Sequence, residues 1–432
     1  MDVDLHKIAT SVAMPETYAD PAKMSKAFKV LRLRSPVHSV EAEGIRPFWA
    51  VTRHADVLAV EQQHRNFLAA PRTVIFNQFA DIALCQLTGR EPALRPLTHM
   101  DDPDHRAYRA ITQASFAPEN LRLLEGQLAK MARETVDGLS SADRTCDFAS
   151  LVALYPLRVI MSLLGVPKAD FPLILEWNRN LLGVDDPDRR SKDDPFEAIR
   201  TALVGFRDYF DKLTEDRRVR PRDDLATIIA NATVMGKPIP DFERLSYFII
   251  LSTAGHDTTT FAIVGGLHAL IEHGDQLALL KKHPELLDRA VDEILRWSSP
   301  VRHFMRTARE ECDVGGTKIR SGDSLALFFV SANRDEKVFF DSESFVVSRT
   351  PNPQIAFGHG VHFCLGHHLA KMEIRALFKE LINRVEHIEF AGEPQWARSN
   401  FVGGIRSLPI RAKLRAVSRH SLKEPLPRVD SL

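Results

Sequence analysis

Near the C-terminal end of the chain, Phe357-Gly358-His359-Gly360-Val361-His362-Phe363-Cys364-Leu365-Gly366 sets a single cysteine where a glycine-rich loop enters an amphipathic segment, His367 to Val385. Three glycines allow a tight loop whose backbone approaches a large planar ligand closely. At the start of a helix, unpaired N–H groups and the positive end of the macrodipole favour a thiolate over a thiol. A thiolate in such a loop is a metal ligand or a nucleophile. Three chemistries compete. A zinc site would use Cys364 with His359, His362, His367 or His368. Structural zinc takes at least two cysteines or a clean Cys₂His₂ spacing, and neither is present. A catalytic nucleophile needs a base and an orienting group, and the loop has no protease-like signature. The remaining chemistry is an axial thiolate on haem iron, which favours O–O cleavage.

A second signal lies at 241–273. Apolar spacing there predicts one helix of about 33 residues, near 50 Å long, central and buried. Its middle reads Ser252-Thr253-Ala254-Gly255-His256-Asp257-Thr258-Thr259-Thr260. Glycine, Asp and β-branched Thr are poor mid-helix choices, and a buried carboxylate is costly unless paired. Alone, this is a tolerated polar patch. The alternative is that local rules fail here because a site sits here.

The elements around these two segments are mostly helical. Apolar residues recur at three- and four-residue spacing over 21–33, 103–136, 149–166, 168–183 and 195–216, often behind an Asp, Ser or Pro start signal. Strand-like alternation appears near 36–52, 301–328 and 386–414. Residues 70–100 lack clear periodicity and are expected to form a long loop, often functional at that length. No repeat or Gly/Ser linker divides the chain, so a single large, mainly α domain with small β-sheets is expected over 1–414. Residues 415–432 read as a charged, Pro-broken tail, expected to be disordered.

Composition narrows the function classes. The chain has 432 residues, with 57 Lys+Arg against 57 Asp+Glu. A nucleic-acid binder normally shows a basic excess, so that class is disfavoured. The four cysteines, Cys85, Cys146, Cys312 and Cys364, are too scattered for a disulfide framework and form no CxxC pair. The acidic N-terminus has no apolar signal region, and no apolar run approaches the roughly 18 residues of a membrane span. A soluble, cytoplasmic protein without membrane contact is expected.

The segment F-G-H-G-V-H-F-C-L-G resembles the haem-binding signature of the cytochrome P450 superfamily, F-x-x-G-x-[HR]-x-C-x-G, at every specified position. Ala254-Gly255-His256-Asp257-Thr258 resembles that family's oxygen-activating stretch in its long central helix. Glu293-Ile294-Leu295-Arg296 resembles its E-x-x-R motif, with Arg349 as third member of the charge network. The resemblance covers essentially residues 10–414. Its character is closest to the soluble bacterial members that oxidise monoterpenes, the terpineol- and camphor-oxidising kind, as in FMRTA at 304–308, SANRDE at 331–336 and NFVGG at 400–404.

The resemblance implies a cytochrome P450 fold with the central helix over the haem, and haem b held through Cys364. His105, Arg109, Arg306 and His362 are implied as partners of its propionates, while Ala254, Gly255, Phe357, Gly358 and Gly366 line it. An Arg fork meets a carboxylate bidentately, which suits that role. His359, His367 and His368 are read as polar surface, not ligands. Asp257 and Thr258 match the family's acid–alcohol pair that relays protons for O–O cleavage. Glu293, Arg296 and Arg349 are implied as structural; exposed, such an i, i+3 pair would contribute only a few tenths of a kcal/mol.

The implied reaction inserts one oxygen of O₂ into a C–H bond, with electrons from NAD(P)H. No fused flavin or iron–sulfur module is recognisable, so a separate [2Fe–2S] ferredoxin and its reductase are expected. That ferredoxin would dock near His105, Arg106, Arg109 and Lys371. An apolar pocket is expected from Leu251, Ala254, Val301, Phe304, Phe401 and Val402, closed by the 70–100 loop, for a small terpenoid or aromatic hydrocarbon. A monomer is expected. The reading from another class is a non-catalytic haem sensor, for which Asp257-Thr258 would be unnecessary.

Overall fold

The computed structural model describes residues 4–140, 145–183, 185–189, 191 and 194–415. Helices dominate, and their ends follow the chain's own signals. Asp20 accepts from the Lys23 N–H and Pro21 opens the helix Pro21–Arg34; a proline at the first turn forfeits no intrahelical bond. Asp194 and Pro195 do the same for the 25-residue helix Pro195–Val219. The segment 103–136, expected as one helix, is instead Asp104–Gln113 and Glu125–Asp137 joined by short turns. Pro118 is the cause: it pushes Ala117 into extended backbone at ψ 146°.

Two small sheets hold the ends of the chain together. The larger runs in the order Val37–Ala42, Ile45–Val51, Ser324–Phe328, His303–Ala308, Phe67–Leu68. Its one parallel pairing, Leu325–Leu327 on Trp49–Val51, joins an N-terminal hairpin to a C-terminal one. A three-stranded sheet pairs Val385–Phe390 with Pro409–Leu414, and the latter with Cys146–Asp147. The largest core cluster gathers the helices, including Phe206, Phe210, Phe248, Ile263, Ile294 and Phe378. Among the described residues, no helix is long and apolar enough to cross a membrane.

Two expectations are corrected. The stretch 70–100 is not a plain loop: Gln78–Thr88 is helical, capped by the Asn77 side chain and ended by Gly89 in the left-handed region. Phe79 and Ile82 on it are exposed, which is why periodicity misses it. The span 241–273 is two helices, Asp241–Ala254 and Asp257–Glu272, interrupted at Gly255-His256. The expected tail lies, from residue 416, outside the described residues; Arg415 is still held by its N–H to the Arg384 carbonyl, 2.8 Å.

Candidate functional site

The break in the central helix is built by hydroxyls. The side chains of Thr253, Thr258 and Thr260 donate to the carbonyls of Ile249, Ala254 and His256, at 2.8, 2.8 and 3.1 Å. Side-chain hydroxyls bonding back to i−4 carbonyls compete with the helical ladder. Gly255 packs tightly: a Cβ there would stand 3.0 Å from Ile160 Cγ1, which would have to give by a few tenths of an ångström. Ala254 is exposed and Gly255 and Thr258 half-exposed, although Thr253, His256 and Asp257 are buried. In the middle of a core helix, that pattern means one side faces a cleft.

The cysteine loop is equally determined. Gly358 and Gly360 have φ of +71° and +67°, and a Cβ on Gly360 would clash with the Glu61 carbonyl oxygen at 2.5 Å. Gly366 differs: its φ is −88°, and a Cβ there would meet nothing within 4 Å, so the chain's own packing does not demand this glycine. The Cys364 N–H donates to the Phe357 carbonyl at 3.0 Å, and Phe357 and Phe363 are both half-exposed. The Cys364 thiol is pushed up by burial, with the Gly366 N–H and Arg109 opposing without overcoming it. Burial thus opposes the helix-start electrostatics, and a cationic partner would favour the thiolate. His367 is more than polar surface, since its Nδ1 lies 2.9 Å from the Cys364 carbonyl oxygen.

Helix Asp104–Gln113 ties loop and central helix together. Arg109 Nη2 donates to the Phe363 carbonyl at 2.8 Å, and Thr112 shares a 2.8 Å hydrogen bond with the Tyr247 hydroxyl. The His105 and His362 rings stand 4.2 Å apart. Burial, then Arg306, His105, Arg109 and His64, drives the His362 pKa down to about 2. Burial and Arg109 lower that of His105. Glu61, which sequence reasoning missed, takes Arg306 Nη2 at 2.8 Å and the His359 N–H on its other oxygen. It is fully buried, and burial, only partly offset by Arg306, raises its pKa.

Asp257, also buried, meets Arg189 Nη2 at 2.7 Å, and His256 Nδ1 lies 3.2 Å from its other oxygen. Burial raises the carboxyl, but Arg189, His256 and Arg179 outweigh it and hold Asp257 below the usual carboxylate range. Arg189 also covers the Phe261 ring, 5.1 Å from its centroid. Nothing in the sequence singled out Arg189; the only signal was that a buried Asp257 needs a cation.

Four of the six pocket residues meet. Val301 bridges Val402, Phe304 packs edge-on to Phe401 at 5.5 Å, and Phe261, one turn beyond Thr258, joins the Val301–Phe401–Val402 cluster. Ala254 faces the cleft, whereas Leu251 is buried within the main core.

Glu293 and Arg296 are fully buried and paired twice, at 2.8 Å each. Arg349 Nε adds a 3.0 Å contact and the Val346 N–H a 2.8 Å one. Arg296 Nη1 donates to the Asn333 carbonyl, and Asn333 Oδ1 accepts from the Ile355 N–H, leading into the cysteine loop. The expected docking cations are mostly engaged. His105 is buried, Arg106 pairs with Asp102 at 2.9 Å, and Lys371 pairs with Asp292 at 2.6 Å.

These donors fit haem. Among the described residues, no cluster of three or more His, Cys, Asp or Glu could hold a metal ion, so the zinc reading lacks a ligand set. The cations Arg109 and Arg306 and the neutral rings of His105 and His362 converge beside Cys364, a donor set that suits an anionic ligand. The open space over Gly366 and at Ala254 suits a flat one. Fold and site thus define a haem-thiolate protein.

Comparison with known proteins agrees. A cytochrome P450 family model matches residues 195–409. The chain is 39% identical over 414 residues to cytochrome P450-terp of a Pseudomonas species, covering 94% of this chain and 97% of that protein. It is 32% identical over 387 residues to linalool 8-monooxygenase of Pseudomonas putida, covering 89% and 94%. The crystal structure of CYP108D1 from Novosphingobium aromaticivorans superposes with a TM-score of 0.88 at 37% identity, covering 95% of this chain and 99% of that one. The chain belongs to the cytochrome P450 family: it is a haem-thiolate monooxygenase with a mainly helical, single-domain fold.

Proposed function

We propose that the enzyme hydroxylates a small hydrophobic substrate, a monoterpenoid or aromatic hydrocarbon. Two electrons from NAD(P)H would arrive through a ferredoxin reductase and a [2Fe–2S] ferredoxin. The observation that carries the substrate class is the apolar wall of Val301, Phe304, Phe401 and Val402 beside Phe261, on the same helix as Thr258. Such a surface, with few polar groups, selects by shape and apolar burial. The terpene-acting relative linalool 8-monooxygenase supports the same class.

Haem, when bound, supplies O₂ activation and the transfer of one oxygen atom to a C–H bond, the other leaving as water with two electrons and two protons. The chain's residues do the rest. Cys364 would provide the thiolate that holds the iron, and Arg109, Arg306, His105 and His362 would hold the propionates through charge-assisted bonds. Thr258 presents a hydroxyl to the cleft, and Asp257 hands protons inward from Arg189's side of the helix. Glu293, Arg296 and Arg349 fix the cysteine loop and touch no reactant. Ferredoxin docking near Arg106, Arg109 and Lys371 would be weak and salt-dependent, the more so because two of these cations already have acidic partners.

The test is an optical titration of the ferric holoenzyme with monoterpenes, aromatic hydrocarbons and fatty acids. A spin-state change with the first two classes, and oxygenated product on adding a ferredoxin/reductase pair, is expected. A response confined to fatty acids would overturn the substrate class.

A further inference from the structure

His303 is fully buried in the strand that also carries Phe304 and Arg306. Its Nε2 lies 2.9 Å from the Ile75 backbone nitrogen, and its Nδ1 lies 2.9 Å from the Asn400 carbonyl oxygen. A backbone N–H can only donate and a carbonyl can only accept, which fixes the proton on Nδ1 and the lone pair on Nε2. The ring is therefore neutral, in one tautomer, with both nitrogens used. Phe328 and Phe401 flank it, at 5.6 and 5.8 Å between ring centroids.

The two backbone partners belong to different loops. Ile75 precedes Asn77, the cap of helix Gln78–Thr88, and its segment is otherwise fastened to this strand by the Thr73 carbonyl, which accepts from the Met305 N–H at 2.7 Å. Asn400 immediately precedes Phe401 and Val402, and its side chain donates to the Ala13 carbonyl at 2.7 Å. One imidazole thus spans the gap between the segment that carries the exposed helix and the apolar wall.

We propose that His303 is a specificity-determining positioning residue, a neutral latch that holds segment 73–77 against the Asn400–Val402 loop and so sets the width of the substrate cavity. This rests on the pocket reading above, but the latch can be tested apart from it. A glutamine can place its amide oxygen where Nε2 accepts from the Ile75 N–H, whereas phenylalanine keeps the bulk and the ring contacts and loses both hydrogen bonds.

His303→Phe and His303→Gln, purified as holoprotein, are compared with wild type by hydrogen exchange of peptides covering 73–77, and by optical dissociation constants for linalool, α-terpineol and naphthalene. His303→Phe should exchange faster in 73–77 by on the order of tenfold, the equivalent of one lost hydrogen bond. It should also level the three dissociation constants, while His303→Gln stays near wild type on both readouts. Unchanged exchange at 73–77 in His303→Phe would overturn the latch. Faster exchange with an unaltered order and spread of dissociation constants would overturn the specificity role. Phe401→Ala separates the two ideas: if it shifts the constants and His303→Phe does not, the latch proposal fails while the pocket stands. If neither shifts them, the pocket reading fails as well.

Discussion

Arg189 reaches from the connection between helices Phe171–Leu182 and Pro195–Val219 to close a 2.7 Å ion pair with Asp257, at the first turn of the second half of the central helix. Both side chains are nearly buried, at 10% and 6% exposed. The acid proposed to move protons is therefore held ionised by a residue on a connecting segment.

Asp257→Asn keeps the shape and removes the acid, so turnover should slow by roughly 10²-fold, the low end for a lost proton-transfer group. Arg189→Gln should act differently. In the wild type, Arg189 helps keep Asp257 below the usual carboxylate range, so it stays ionised at neutral pH. Without Arg189, only His256 and Arg179 oppose burial, so the carboxyl should rise and a pH dependence of kcat should appear at higher pH than in the wild type. The double variant Arg189→Gln/Asp257→Asn should lose that dependence. Rate–pH profiles of the three variants check this, and a flat profile for Arg189→Gln would remove the coupling.

Arg306 serves two anions, which makes its removal distinctive. Arg306→Ala would shorten haem retention and also strand Glu61 as a buried, unpaired carboxylate. Breaking one side of a buried pair costs about 3–5 kcal/mol. Adding Glu61→Gln to Arg306→Ala should restore much of the thermal stability but not the haem retention. Arg109→Ala, whose partner is the Phe363 carbonyl, should weaken retention with a smaller loss of stability. Haem-transfer rates and melting of the three variants separate these effects; haem loss at the wild-type rate in every variant would withdraw both propionate assignments.

How much of this was legible in the sequence depended on how local the signal was. The cysteine loop is contiguous, and its residue types and spacing carry its chemistry without help from the fold. The central helix was legible in its apolar face. Its interruption was not, because the Thr258 hydroxyl takes the Ala254 carbonyl that propensity alone leaves to the ladder. Glu61 carried no signal of its own, and only the approach of strand His303–Ala308 and the loop at His359 buries it. Arg189 is 68 residues from its partner. The helix at 78–88 did announce itself, through Asn77 and Gly89, but with Phe79 and Ile82 exposed it offered no periodic stripe.

Glu293 offers a test by pH as well as by mutation. Burial raises its carboxyl, but the Arg296 pair, the Val346 N–H and Arg349 outweigh that and hold it below its usual value. A depressed carboxyl contributes stability that is present above its unfolded value, and that stability is lost as pH falls through the folded one. Glu293→Gln should therefore give little holoprotein at neutral pH, and what is recovered should be less sensitive to acid below about pH 4 than the wild type. Acid-melting curves of the two proteins check the sign. Normal holoprotein yield with an unchanged acid limb would mean the network carries no load.

Thr258 separates oxygen activation from haem binding. Its hydroxyl donates to the Ala254 carbonyl at 2.8 Å while the residue stays half-exposed to the cleft, so the same group shapes the break and faces the reaction space. Oxygen activation consumes two protons, and a hydroxyl fixed at that spot would hold the water that delivers them. Thr258→Ala keeps the haem, the apolar wall and the electron supply and loses only that organising group. NADH consumption should persist while product falls and hydrogen peroxide rises. Thr258→Ser restores a hydroxyl of the same reach and should recover most of the product, which a purely steric role of the threonine methyl would not allow. Asp257→Asn should stall where Thr258→Ala leaks. The ratio of peroxide formed to NADH consumed distinguishes them, and wild-type coupling in Thr258→Ala with a tightly bound substrate would leave the stretch as no more than a polar kink.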